Sequence, residues 1–192
     1  MTILIVGLVL FFAAHAVPML PALRGRLIAR LGANGHKGLH TLVSAVGLGL
    51  MIWGFVLARA AGAPLLWQPP RGLRHLTVLL ALPVFPLLLA AFVPGARAIR
   101  ERVGHPMLTA VILWAAAHLV SVGVASAVAI MAAFFVWGVA DRLSLARRTA
   151  PRTTPPPAFS RGDATAIVAG LVLWGAFVLR LHLWLIGVAP LG

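Results

Sequence analysis

Two histidines lie inside strongly apolar stretches of this 192-residue sequence. His15 occurs in the string AAHA, and His118 ends the string AAAH. An ionisable imidazole deep in an apolar segment is costly without a partner, so such positions indicate function. Small neighbours would let a flat macrocycle approach while imidazole ligates its iron, as in haem proteins. A second interpretation stays open, in which each imidazole bonds a backbone carbonyl of a neighbouring helix and the alanines aid packing.

The stretch around His118 reads as one apolar helix that opens with a histidine–proline pair. Pro106 suits the first helical turn because its missing N–H would have no partner there. His118 follows His105 by thirteen residues, about 20 Å along a helix. At about 100° per residue the two imidazoles lie on largely opposed faces, so we do not expect them to ligate one iron together. Trp114 shares the face of His118 and can stack on a bound ring or simply pack in the core.

Depth in the bilayer is compatible with an iron shared by His15 and His118. Helix rise places His15 about 20 Å from the outer boundary and His118 about 18 Å from the inner one. In a hydrocarbon core of roughly 30 Å their depths then differ by about 8 Å. His15 with His105, and His75 with His118, fit about as well.

The remaining histidines lie near predicted membrane boundaries. His36 and His40 favour a solvated or headgroup-facing side chain at the inner boundary. At the outer boundary the sequence predicts a cationic cluster for carboxylates, such as haem propionates, formed by Arg71, Arg74, His75, Arg180 and His182. Interfacial anchoring and snorkelling explain the same residues equally well.

Composition excludes an ordinary soluble domain. The chain is 61% hydrophobic and 10% charged, whereas soluble domains carry about 25% charged residues. We therefore expect an all-α polytopic membrane protein. The net charge of +13 comes from 16 Lys+Arg against three acids, and anionic lipid headgroups explain it better than nucleic acid. With no cysteine, disulfides and thiolate chemistry are excluded.

Hydrophobic patterning predicts a bundle of about six transmembrane helices. They cover residues 2–16, 38–60, 75–93, 105–121, 127–145 and 164–188, with a kink at Pro83 and Pro86 in the third. Residues 23–31 predict a short amphipathic helix on the membrane surface, ended by Gly32. The chain divides into a transmembrane domain (1–148), a proline-rich linker (149–163) and an additional C-terminal helix (164–192).

The basic residues predict the orientation. Twelve of the sixteen lie in the first, third and fifth loops: Arg24, Arg26, Arg30, Lys37, Arg97, Arg100, Arg102, Arg142, Arg147, Arg148, Arg152 and Arg161. Positive-inside counting puts these loops in the cytoplasm and both termini in the periplasm of a bacterial inner membrane.

Several short motifs together resemble the NnrU family of membrane proteins. They are His15 with Pro18, RHL at 74–76, HP at 105–106, Trp114 with AHL at 117–119, and Trp137 with DR at 141–142. The resemblance covers roughly residues 10–148. The family is named for an association with nitrite and nitric oxide metabolism in denitrifying bacteria, and it includes the haem b enzyme zeta-carotene isomerase.

The resemblance implies a haem b held by two axial histidines. An Ala-His segment of the isomerase matches His15, and its Trp-x-x-Ala-His segment matches His118. The isomerase has a cysteine where this chain has Ala115, so ligand exchange with that thiol is not available here. Reduction of the iron would release one ligand and open a site for substrate.

Three functions remain open. The first is a haem-dependent isomerase acting on an apolar substrate, and the second is a haem carrier, sensor or electron-transfer subunit of denitrification. The third is a membrane scaffold without a cofactor. Three carboxylates near membrane boundaries offer no paired general acid and base, so in an enzyme the cofactor would carry the chemistry.

Overall fold

The computed structural model describes residues 1–148 and 155–191, which are helical with short connections. The α-helices are α1 (Thr2–Ala16), α2 (Pro21–Ala60), α3 (Gly72–Leu80), α4 (Val84–Phe92), α5 (Arg97–Val103), α6 (Pro106–Ser121), α7 (Ala125–Arg148), α8 (Arg161–Ala176) and α9 (His182–Ile186). A 3-10 turn, Val17–Met19, follows α1, and a π-helical turn, Phe177–Leu181, joins α8 to α9. In the described residues the only β pairing is an isolated bridge between Leu65 and Val124.

The chain forms two compact units that do not follow a simple N-to-C division. The first unit contains Met1–Trp67 and Gly123–Thr149, and the second contains Gln68–Val122 and Ala150–Gly192. Part of the predicted proline-rich linker, residues 149–154, lies outside the described residues. The described prolines at 155–157 belong to no helix, and α8 begins at Arg161 rather than at residue 164.

The first unit is built on a close helical hairpin of α1 and α2. Gly7 of α1 and Gly47 and Gly54 of α2 lie directly against the backbone of the opposite helix. Small residues allow such approach, and van der Waals packing then stabilises the pair inside a membrane. Leu4, Leu8 and Met51 form the buried core of the hairpin.

The predicted surface helix and second span form one element that is interrupted at Gly32. Gly32 has φ 71° and ψ 166°, a backbone conformation that glycine adopts without steric cost. The basic side chains of the first part, Arg24, Arg26 and Arg30, are exposed. The prediction that Gly32 ends the amphipathic helix is confirmed, and the helix beyond it starts a few residues earlier than residue 38.

The second unit packs α4 against both α6 and α8. The predicted third span is broken into α3 and α4, with Pro83 at the N-cap of α4. The helix is interrupted at Pro83, as predicted, because proline removes a backbone donor and crowds the preceding turn. The other predicted kink position, Pro86, lies inside α4. Gly170 of α8 lies against the backbone of Pro86, where a β-carbon would clash.

A buried carboxylate joins the N-terminal ends of α5 and α8. Asp163 is fully buried, and its Oδ1 accepts from the backbone N–H of Ile99 at 2.9 Å. Its Oδ2 accepts from the backbone N–H and the hydroxyl of Ser160, at 2.9 Å and 2.6 Å. Both helices therefore begin at the same end of the second unit.

Within the described part of the chain, five segments are long and apolar enough to cross a membrane: Thr2–Met19, Pro21–Ala60, Gly72–Phe92, Ala125–Arg148 and Arg161–Ile186. A sixth arises if α5 and α6, bent by 65° at their junction, count as one span. The expected all-α fold, with about six apolar helices that could cross a membrane, is confirmed. Large apolar side chains stay exposed along these segments, including Trp184 at 80%, as expected of surfaces that face lipid.

Candidate functional site

His118 is held by a hydrogen bond within its own helix. Its Nδ1 donates to the carbonyl oxygen of Trp114, one turn earlier in α6, at 2.8 Å. A carbonyl oxygen only accepts, so this bond requires the proton on Nδ1 and leaves the lone pair of the neutral ring on Nε2. The same arrangement orients histidines that ligate metals. The Trp114 ring lies beside the imidazole, with 5.3 Å between ring centroids.

The helix carrying His118 is fixed by neighbouring contacts in the second unit. The hydroxyl of Thr77, on α3, lies 2.9 Å from the carbonyl oxygen of Ala117 and can donate to it. Ala115 and Ala117 are fully buried in protein packing, at 0% and 1% exposure. These two alanines therefore support helix packing, and the approach of a macrocycle to His118 stays a prediction.

A second imidazole faces His118 within the same unit. The rings of His118 and His182 have centroids 6.2 Å apart, and their planes differ by 19°. His182 begins α9, directly after the π-helical turn Phe177–Leu181. Its Nδ1 donates to the carbonyl oxygen of Val188 at 2.7 Å, so its Nε2 also carries the lone pair in the neutral ring.

His15 has the same local bond but a more aromatic environment in the first unit. Its Nδ1 donates to the carbonyl oxygen of Phe11 at 2.8 Å, and the Phe11 ring stacks on it at 4.1 Å between centroids. Trp137 meets the imidazole edge-on at 5.6 Å, and the ring of His40 lies 5.1 Å away. His40 therefore contacts a candidate site, although its sequence position favoured a solvated side chain.

The other predicted cofactor residues lie in the second unit. Arg74 and His75 are exposed on α3. Arg180 is exposed in the π-helical turn, two residues before His182. Trp114 contacts His118, as its spacing predicted. A role for Arg74, His75 and Arg180 in binding carboxylates stays a prediction.

A haem would need fewer protein ligands than a bare metal ion. Within the described residues, no group of three or more His, Cys, Asp or Glu side chains is placed to hold a metal ion. A haem brings four equatorial nitrogens and needs only one or two axial ligands from the protein. His15 and His118 each have the required tautomer. They belong to different units, and their ligation of one iron stays a prediction.

Sequence reasoning missed the imidazole partners because they come from distant parts of the chain. His40 follows His15 by 25 residues, and His182 follows His118 by 64. In the structure His118 and His182 each lie about one turn before the C-terminal end of a helix, and no local sequence pattern marks this pairing.

Fold and composition define a multi-span helical membrane protein with histidines inside its apolar segments. The family model described as NnrU protein matches residues 3–190, and the chain belongs to this family. The match extends well beyond residues 10–148, so the C-terminal helix with His182 is part of the family's region. Comparisons with curated proteins and with solved structures give no significant match.

Proposed function

We propose that this protein binds haem b inside the membrane with His118 as an axial ligand. The observation that carries the proposal is the 2.8 Å bond from His118 Nδ1 to the Trp114 carbonyl oxygen. This bond leaves Nε2 as the basic atom of a partly buried ring, which is the atom that axial imidazoles present to iron. The resemblance of the Trp114–His118 segment to the isomerase's ligand segment supports the same role.

Haem iron accepts up to two axial ligands, and the sequence predicts His15 as the second. Its bond to the Phe11 carbonyl oxygen gives it the same tautomer as His118. Phe11 and Trp137 restrict the ring on two sides, which reduces the entropy lost on ligation.

Bound haem would supply one-electron chemistry and, with one axial place open, a binding position at iron. The protein's part is to hold imidazoles in one tautomer and to exclude water. Two of its three carboxylates offer no substitute, because Asp163 already accepts hydrogen bonds from Ile99 and Ser160, and Asp141 lies 3.9 Å from Arg148 in an ion pair. Any catalysis would depend on the cofactor.

We propose a redox-dependent role of one of two kinds. An isomerase would bind an apolar polyene from the bilayer at the opened position. A carrier, sensor or electron-transfer subunit would serve nitrogen-oxide metabolism, as the family's name suggests. Turnover of a cis-polyene only under reducing conditions would support the isomerase. A reversible redox couple without turnover would support the second role.

Spectroscopy of the purified full chain in detergent tests the haem proposal. We expect a Soret band in the wild type and its loss or shift in His118→Ala. His36→Ala, on α2 and outside the candidate sites, is the matched control and should keep the wild-type spectrum. A wild-type protein that takes up no haem during expression or reconstitution contradicts the proposal and leaves the scaffold as the remaining function.

The proposal also includes the orientation of the chain in the membrane. With the first, third and fifth loops in the cytoplasm, both termini lie on the periplasmic side of a bacterial inner membrane. His118 and His182 then lie towards the periplasmic side.

A further inference from the structure

His118 and His182 form a pair of imidazoles inside one compact unit. Their ring centroids are 6.2 Å apart and their planes are within 19° of parallel. Two imidazole nitrogens bound at about 2.0–2.1 Å on opposite sides of one metal put their ring centroids roughly 6 Å apart. The observed separation of the centroids is therefore compatible with two imidazoles that share a metal.

The tautomers of His118 and His182 also favour a metal ion bound between the two rings. Each Nδ1 donates to a carbonyl oxygen, that of Trp114 for His118 and that of Val188 for His182. In the neutral rings both Nε2 atoms are then acceptors, so the imidazoles cannot hydrogen-bond to each other through these atoms. A metal ion satisfies both lone pairs at once.

The backbone around His182 has an unusual local structure. The π-helical turn Phe177–Leu181 precedes it directly, and such turns are rare and frequent at functional sites. A π turn holds an extra residue, so it changes the helix face on which His182 lies. Gly187, in the left-handed conformation at φ 74°, then ends α9 and precedes Val188, whose carbonyl oxygen bonds the ring.

We infer that His182 is the axial imidazole opposite His118 at the proposed haem iron. The inference rests on the proposed function and assigns its second ligand. An iron with four equatorial haem nitrogens has two axial places, so His182 takes the position that the sequence assigned to His15. The ligand pair then lies within the second unit.

Reconstitution with haem b separates the two assignments. The full chain, purified in detergent, is compared with His182→Ala, His15→Ala, His118→Ala and the control His36→Ala. Absorption and electron paramagnetic resonance report the spin state and axial ligands of the iron. We expect a low-spin six-coordinate haem in the wild type, in His15→Ala and in His36→Ala.

In His182→Ala we expect high-spin iron that keeps the His118 ligand, and added imidazole should restore the low-spin spectrum. Recovery of the low-spin spectrum by imidazole distinguishes a lost ligand from a misfolded chain. His182→Gln is a second variant, and an unchanged circular dichroism spectrum would show that it folds. If His182→Ala and His182→Gln stay low-spin while His15→Ala becomes high-spin, the inference is overturned and haem binding stands. If the wild type binds no haem, the proposed function and this inference both fail.

Discussion

The hydroxyl of Thr77 lies 2.9 Å from the carbonyl oxygen of Ala117, the residue directly before His118. This contact links α3 to the helix that carries the proposed ligand, and Thr77 is 8% exposed. The same hydroxyl lies 3.0 Å from the Leu73 carbonyl oxygen in its own helix. A hydroxyl has one proton, so the two carbonyl oxygens share one donor.

Thr77→Val removes this donor while keeping the shape of the side chain. Hydrogen bonds between helices in membranes average about 0.6 kcal/mol and reach about 1.7 kcal/mol, so we expect the free energy of unfolding to fall by about 0.5–1.5 kcal/mol. Reversible unfolding in mixed micelles measures the change. Thr77→Ser keeps the hydroxyl and should lose less; a larger loss in Thr77→Ser than in Thr77→Val would show that the methyl group matters more than the bond.

Asp163→Asn should destabilise the second unit by about 2–4 kcal/mol, because the replacement keeps one acceptor oxygen and turns an N–H₂ group towards buried donors. Asp141→Asn is the matched control. Its partner Arg148 lies at 3.9 Å and the pair is partly exposed, so we expect a change below about 1 kcal/mol. Thermal unfolding in detergent compares the variants. Equal shifts in the melting temperature would contradict a special role for the buried carboxylate.

Two glycines of α2 should respond differently to replacement by alanine. A β-carbon at Gly54 would meet the backbone of Leu4 in α1, whereas one at Gly49 meets nothing. We expect Gly54→Ala to lower the free energy of unfolding by about 1–3 kcal/mol through overpacking. Gly49→Ala should be neutral or stabilising by up to about 1 kcal/mol. Unfolding titrations of both variants check the hairpin, and an undisturbed Gly54→Ala would argue against its close packing.

Single cysteines can map the orientation, since the chain contains no cysteine. Gln68 lies in the predicted periplasmic connection and Asn34 near the predicted cytoplasmic boundary, and both are exposed. In intact cells a membrane-impermeant maleimide should label Gln68→Cys, whereas Asn34→Cys should need permeabilised cells. The wild type gives the background. The reverse pattern would place both termini in the cytoplasm.

Much of the fold was predictable from local patterns. Apolar runs of sufficient length placed the spans, Pro83 placed the kink, and Gly32 placed the end of the amphipathic helix. Each of these features depends on residues that are close in sequence. Helix ends shifted by a few residues, because caps such as Ser160 with Asp163 extend a helix beyond its apolar stretch.

The sequence by itself determined that this is a helical membrane protein of the NnrU family, and it marked His15 and His118 as candidate ligands. Only the tertiary structure decided which side chains those imidazoles meet: His40 beside His15, and His182 beside His118. It also revealed Asp163 as a buried junction between α5 and α8. The reason is physical. A helix specifies its own axis and apolar face through neighbouring residues, whereas contacts between helices depend on packing between segments tens of residues apart.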